Sequence, residues 1–340
     1  MTFRVSVPRL AALDFPETDS YMPNMAKIPI TSRRIGLLPL DGFALMSYAS
    51  LIEPMRAANL LAGHMLYEMI HITTQDGPIH SSGMASVTPQ AKVGDDLDLD
   101  YLFVIAGGDP TRFDDTRVTN WLARMARRGA RLGGVSGGPV ILARAGLMDG
   151  RRMTVHWEHA TALGEISPHL AIERTLYVID RDRVTCAGGT APMDLMHALI
   201  TRHHGAPFAR RVSDWFMHTE VRPSIGPQRA GLVERLGTTD PVILDAVAAM
   251  ETHIADPVTL KDLAQMADIS PRHLNRLFQD KLGRSTMGFY RALRLDTARS
   301  LLRNSSLPLT QIALASGFAS SSHFSRVYAQ HFGQPPSSYR

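Results

Sequence analysis

Two stretches near the end of this 340-residue chain repeat one another: Leu260-Lys-Asp-Leu-Ala-Gln-Met-Ala-Asp-Ile269 and Leu309-Thr-Gln-Ile-Ala-Leu-Ala-Ser-Gly-Phe318. Leu263-Ala264 corresponds to Ile312-Ala313, and Ile269 to Phe318. After one inserted residue the match resumes, with Arg276 against Arg326, Phe278 against Tyr328 and Gly283 against Gly333. A repeat of this detail means one supersecondary unit used twice. The unit reads as helix, tight turn, helix. Thr259 can cap the first helix, with Asp262 at its third position. Ser270 caps the second helix and Pro271 opens it. In the second copy Gly317 makes the turn, and Ser320 or Ser321 caps the helix that follows.

Helical spacing then divides the residues. Leu274, Leu277 and Phe278, with Phe324, Val327 and Tyr328, fall on inward faces. Arg272, His273, Asn275 and Arg276, with Ser321, Ser322, His323 and Arg326, fall outside. A helix of this size fits a DNA major groove with its N-terminal residues at the base edges. Arg pairs guanine, Asn pairs adenine, and Ser serves base or phosphate. These eight residues are the expected DNA contacts.

Charge agrees. From residue 241 onward there are eleven Lys/Arg against seven Asp/Glu, whereas the first 240 residues hold twenty-five of each. The net +4 of the chain therefore lies in the C-terminal segment, the electrostatic footprint of nucleic-acid binding. Asp240-Pro241 begins the segment as N-cap and first helical residue, and no strand pattern follows.

Upstream the pattern changes. The runs 34–39, 101–106, 132–135 and 176–179 are short and apolar, as buried parallel strands are. Helix-like stretches lie at 46–62, 116–128, 138–145 and 190–203. The alternation predicts a doubly wound α/β domain. A short helix is expected near 208–218, then a Pro- and Gly-bearing linker. The predicted division is a loose extension over 1–30, an α/β domain over 31–222, a linker over 223–240 and an all-α domain over 241–340. The two helix-turn-helix units fall at about 260–281 and 309–331. No run of eighteen apolar residues exists to span a membrane. One cysteine, Cys186, cannot form an internal disulfide, so a cytoplasmic address is expected. Its strand-like context marks a buried, inert thiol.

The decisive spot of the α/β domain is Gly133-Gly134-Val135-Ser136-Gly137-Gly138-Pro139. An apolar strand runs into a Gly-flanked small polar residue and then a helix, as in a nucleophile elbow. Such a sheet binds ligands beyond the C-terminal ends of its strands. The expected cleft residues are Asp41, Gly42, Glu53, Gly107, Gly108, Ser136, Gly137, His156 and Trp157.

Two resemblances follow from these motifs. Residues 241–340 resemble the AraC/XylS family of transcription activators. The resemblance rests on Leu309–Phe318, on Ser322-His-Phe-Ser-Arg326, on the connecting helix Met287–Arg303 and on the ending Pro336-Ser-Ser-Tyr-Arg340. It implies recognition helices in successive major grooves, about 34 Å apart. Residues 33–220 resemble a class I glutamine amidotransferase/PfpI-like domain, of flavodoxin-like fold, in the form carried by GlxA-type regulators. The carriers are the elbow, Ile52–Asn59, Ala145–Arg152, His156-Trp157 and Cys186–Ala191. Enzymatic members use Cys at the elbow; here Ser136 is followed by Gly137. A serine hydroxyl without an adjacent base is a weak nucleophile. The implied function is therefore a transcription regulator, expected as an activator and not an enzyme, with no catalytic residue, cofactor or metal. The implied partners are promoter DNA, RNA polymerase and a small effector in the cleft, such as glycine betaine, another methylated amine, or arginine. A homodimer suits paired half-sites, although two recognition helices in one chain weaken that need. The competing reading is a PfpI-like hydrolase using Ser136, with His156 as base.

Overall fold

A computed structural model describes residues 32–339. The expected extension over 1–30 lies outside the described residues. The chain begins with β1 (Arg33–Pro39), α1 (Leu45–Ala62) and β2 (Tyr67–Thr73). Three two-residue strands follow, β3 (Ile79–His80), β4 (Ser86–Val87) and β5 (Ala91–Lys92). Then come β6 (Tyr101–Ala106), α2 (Thr116–Arg127), β7 (Arg131–Ser136), α3 (Gly138–Arg144), β8 (Arg152–Thr154) and α4 (Trp157–Ile166). β9 (Ala171–Glu173), β10 (Tyr177–Asp180), β11 (Arg183–Cys186), α5 (Ala191–His204) and α6 (Ala206–Trp215) complete the first half.

Seven strands form one sheet in the order β10-β11-β7-β6-β1-β2-β5. The central strands are parallel and buried on both faces. Along β6, Tyr101, Phe103 and Ile105 enter one apolar layer, and Leu102, Val104 and Ala106 the other. The first layer lies under α1, α5 and α6; the second receives α2 and α3. This is the doubly wound, flavodoxin-like arrangement that the alternation of runs predicts. One strand departs from the expectation. β10, read as a parallel strand, pairs antiparallel with β11 at the sheet edge. The Arg181-Asp182 turn between them is too short for a crossover, which parallel pairing requires.

The second half is helical: α7 (Leu232–Leu236), α8 (Pro241–Thr252), α9 (Leu260–Met266), α10 (Pro271–Leu282), α11 (Thr286–Asn304), α12 (Leu309–Ala315) and α13 (Ser321–Phe332). α9 and α10 form one helix pair and α12 and α13 the other. Leu263, Leu274, Phe278 and Tyr290 share the core of the first pair with α8. Leu295, Ala298, Leu302, Ile312, Phe324 and Tyr328 make the core of the second. α11 thus contributes to both cores and fixes one pair against the other. The segment expected to be a linker is fastened rather than loose. Ser224 O accepts from Leu176 N at 2.9 Å, and Gln228 Nε2 donates to Thr175 O at 2.7 Å.

Candidate functional site

The elbow is built where β7 ends. Ser136 has φ 60°, a left-handed conformation rare for a residue with a Cβ. The strain is sustained by close packing. A Cβ on Gly138 would strike the Val104 carbonyl oxygen, and one on Gly134 would lie 2.6 Å from Pro139 N. Gly188, after β11, lies over the elbow: a Cβ there would sit 2.7 Å from Ser136 Cβ and 2.9 Å from Ser47 Oγ. Gly137 N donates to Ala106 O at 3.1 Å, and Ser136 O accepts from His156 N at 3.4 Å. The Gly42 and Gly107 loops meet so closely that a Cβ on Gly107 would lie 2.5 Å from Gly42 O. The loops carrying Gly42, Gly107, Ser136 and Gly188 therefore converge beyond the strand ends, where β1 has β2 on one side and β6 on the other.

His156 is the N-cap of α4; its Nδ1 accepts from Glu158 N at 3.4 Å. Burial lowers its pKa, opposed by the Glu158 carboxylate. One turn on, His159 is 4% exposed and its Nδ1 has no hydrogen-bond partner among the described residues. Burial and the neighbouring His156 bring its pKa down to about 4, with Asp109 opposing. Both imidazoles are therefore neutral at pH 7. Ser136 is only 6% exposed. Among the described residues no hydrogen bond joins Ser136 Oγ to either ring. Cys186 is buried, and desolvation pushes its thiol up to about 12, which leaves it inert.

Other expected cleft residues stand differently. Glu53 pairs with Arg56 at 2.6 Å on the outer part of α1. The α1 side chain that does reach the elbow is Ser47, whose Oγ accepts from Gly189 N at 2.8 Å. Six residues of helix turn the direction by about 240°, so both cannot face the elbow. Asp41 caps the β3–β4 hairpin, accepting from His80 N at 2.9 Å. Trp157 is 41% exposed, and the Arg229 guanidinium sits over its ring at 4.6 Å. Gly108 turns beside Asp109 with φ 62°. Asp109, His159 and Ser47 had no spacing signal; only the fold brings them near.

In the helical half both recognition helices are capped alike. Ser270 Oγ accepts from His273 N at 3.2 Å, and Ser320 Oγ from His323 N at 3.3 Å. Ser320, and not Ser321, is the cap. Both helices end on left-handed glycines, Gly283 and Gly333. Arg272, His273, Arg276, Ser322, His323 and Arg326 are exposed, and Ser321 is half-buried. Asn275 also has a partner within the domain. It is half-buried, and its Oδ1 accepts from Thr286 N at 2.9 Å, tying α10 to the start of α11. That bond holds the side-chain amide toward the N-terminus of α11.

Residues 33–202 match the DJ-1/PfpI family and residues 263–340 a helix-turn-helix domain family. The chain is 45% identical over 309 residues to the HTH-type transcriptional regulator GlxA of Rhizobium meliloti, covering 91% of this chain and 95% of that one. It is 38% identical over 317 residues to the regulator GbdR of Pseudomonas aeruginosa, covering 93% and 86%. This chain belongs to the GlxA/GbdR-type helix-turn-helix transcriptional regulators. Its first half shares the fold of a ThiJ/PfpI family protein from Pseudomonas syringae, with a TM-score of 0.51, 22% identity, and coverage of 69% and 95%.

In this GlxA/GbdR-type regulator the elbow holds Ser136 in a strained left-handed backbone conformation. Its hydroxyl has no hydrogen-bonded base among the described residues. Among the described residues no group of three or more His, Cys, Asp or Glu is placed to hold a metal, and no helix is long and apolar enough to cross a membrane. The neutral histidines give this family member a testable pH response. His159 titrates near 6.5 when unfolded and near 4 when folded. Its contribution to stability is complete above pH 6.5 and is lost as pH falls toward 4, by about 3 kcal/mol. Urea unfolding at stepped pH should show this loss, and His159→Leu should flatten the slope. Equal slopes in the two proteins would contradict a neutral buried imidazole.

Proposed function

We propose that this regulator is an effector-responsive activator. On this reading a small metabolite in the cleft around Ser136 sets how the paired recognition helices engage promoter DNA. The observation that supports it most directly is the retained elbow: Ser136 keeps its strained left-handed backbone, while among the described residues no base is hydrogen-bonded to its hydroxyl. Strain of about 1–3 kcal/mol persists where function maintains it, and with no base the function left to such a cleft is binding. The surroundings favour a cationic metabolite. Trp157 already holds a guanidinium on its ring, an aromatic face that suits quaternary and methylated ammonium groups. Glycine betaine, related methylated amines and arginine are the first compounds to try, consistent with the family resemblance. Asp41, Gly42, Gly107, Gly108, Gly137, His156 and Trp157 remain the proposed surroundings, joined by Ser47, Asp109 and His159 in place of Glu53. Activation implies contact with RNA polymerase, and a DNA partner implies the cytoplasm. Paired half-sites would suit a homodimer.

The test is a thermal-shift screen of the full chain against amino acids and methylated amines. A specific effector at 100 times its Kd should add about 2.7 kcal/mol of stability. A panel without any shift would reject the binding role. Turnover of a small amide or ester, abolished by Ser136→Ala, would instead establish a hydrolase.

A further inference from the structure

α4 belongs to both halves of the molecule. Its N-cap, His156, abuts the elbow backbone. Its first residue, Trp157, carries Arg229 of the segment leading to the helical half. On its outer side, Ala162 is 1% exposed and sits in the same apolar cluster as Leu295, Ala298 and Leu302 of α11. Ser300 Oγ of α11 donates to Glu158 O at 3.2 Å, again on α4. α11 is the helix that contributes to the cores of both helix-turn-helix units. A displacement of α4 therefore bears directly on the element that sets the relative position of the two recognition helices.

We propose that the outer face of α4 is the docking surface through which the cleft domain holds and controls the DNA-binding module. This rests on the effector-binding reading of the cleft. Two observations shape it. Arg276 and Arg326 remain exposed while α11 is docked, so the cleft domain does not act by covering the reading heads. The α4 contribution to the shared cluster is a single small side chain, Ala162. A contact of this kind has two accessible states, docked and released, as interfaces between domains of one chain commonly do. A molecule entering the cleft meets His156 and Trp157 on the same helix. It can shift Arg229 from the Trp157 ring and move α4 against α11.

A double-mutant cycle in the full chain tests the coupling without any effector. The probe is a duplex selected by the wild-type chain from a random-sequence pool. Trp157→Ala, on the cleft side, should change its Kd by about 3-fold or more, and by less than about 1.5-fold when Ala162→Glu is also present. Ser300→Glu attacks the same contact from the other side, should Ala162→Glu fail to fold. Spin labels at exposed Met84 and Lys281, in a Cys186→Ala background, should give one narrow distance in the wild-type contact and a broad distribution after Ala162→Glu or Ser300→Glu. A Trp157→Ala effect that is absent, or equal in both backgrounds, overturns the proposal, as does a broad distance in the undisturbed contact. Because no effector enters the cycle, a flat thermal-shift panel with a positive cycle would reject the effector reading alone. An effector found with a flat cycle would reject only the coupling.

Discussion

Replacing Arg276 and Arg326 together with alanine should weaken binding to a selected duplex by roughly 2–6 kcal/mol, at about 1–3 kcal/mol for each base-reading arginine. The two occupy the same position in each repeat and are exposed in both. A bidentate guanidinium is the commonest reader of guanine. The two sites lie on different helices with separate cores, so their effects should add within a few tenths of a kcal/mol. Titration at several salt concentrations separates two kinds of contact. Loss of base readers relaxes sequence preference, whereas loss of phosphate contacts lowers affinity for every sequence and reduces the salt slope by about one per contact. Asn275→Ala supplies the contrast. Its oxygen binds Thr286 N, so the variant should melt earlier while keeping its sequence preference. Unchanged affinity in the arginine double variant would remove α10 and α13 from the interface.

The helical half was the more legible because its signals are local. Caps, a starting proline and left-handed glycines stand within a few residues of what they control, and the repeat states them twice. The turn of the first unit shows the limit: Asp268 takes φ 52° where the second unit uses Gly317 at 76°, since Asp tolerates the left-handed region. In the α/β half, strands inside the sheet announce themselves as continuous apolar runs, as β6 does. β2 does not, because Tyr67-Glu-Met-Ile-His-Ile-Thr73 mixes charge into a strand next to the sheet edge. α4 was equally hidden: its ten residues are interrupted by Gly164 and carry no strong apolar face. The cleft was legible at its backbone turn and illegible in its side chains. A carboxylate such as Glu53 attracts notice in a sequence, but helical phase decides which residue of α1 reaches the elbow, and it selects Ser47. His159 and Asp109 meet there through packing of distant segments, a placement that no spacing encodes.

Arg294→Ala should cost the second helix-turn-helix unit about 3–5 kcal/mol. The guanidinium of Arg294 donates from Nε to Ser316 O at 3.0 Å and from Nη2 to Gly317 O at 2.5 Å. It also lies over the Phe318 ring at 4.4 Å. These carbonyls close the end of α12, where a helix leaves acceptors unsatisfied and favours a cation. Each hydrogen bond to a charged group is worth about 1.5–3 kcal/mol and the ring contact about 1 kcal/mol, with incomplete additivity. Burial lowers the Arg294 pKa, yet a guanidinium stays charged at any physiological pH. Lysine keeps the charge but lacks the planar fork, so Arg294→Lys should recover less than half of the loss. The turn cannot rearrange to compensate. A Cβ on Gly317 would strike Ile254 O and lie 2.6 Å from Pro257 Cγ, at a φ that disfavours any side chain. Gly317→Ala should therefore destabilise the same unit by a similar amount. Footprinting at rising temperature is the direct measurement: both variants should lose protection over the half-site read by α13 before the half-site read by α10. Simultaneous loss of both halves would show that α11 transmits the damage to the first unit, and that the two reading heads fold as one.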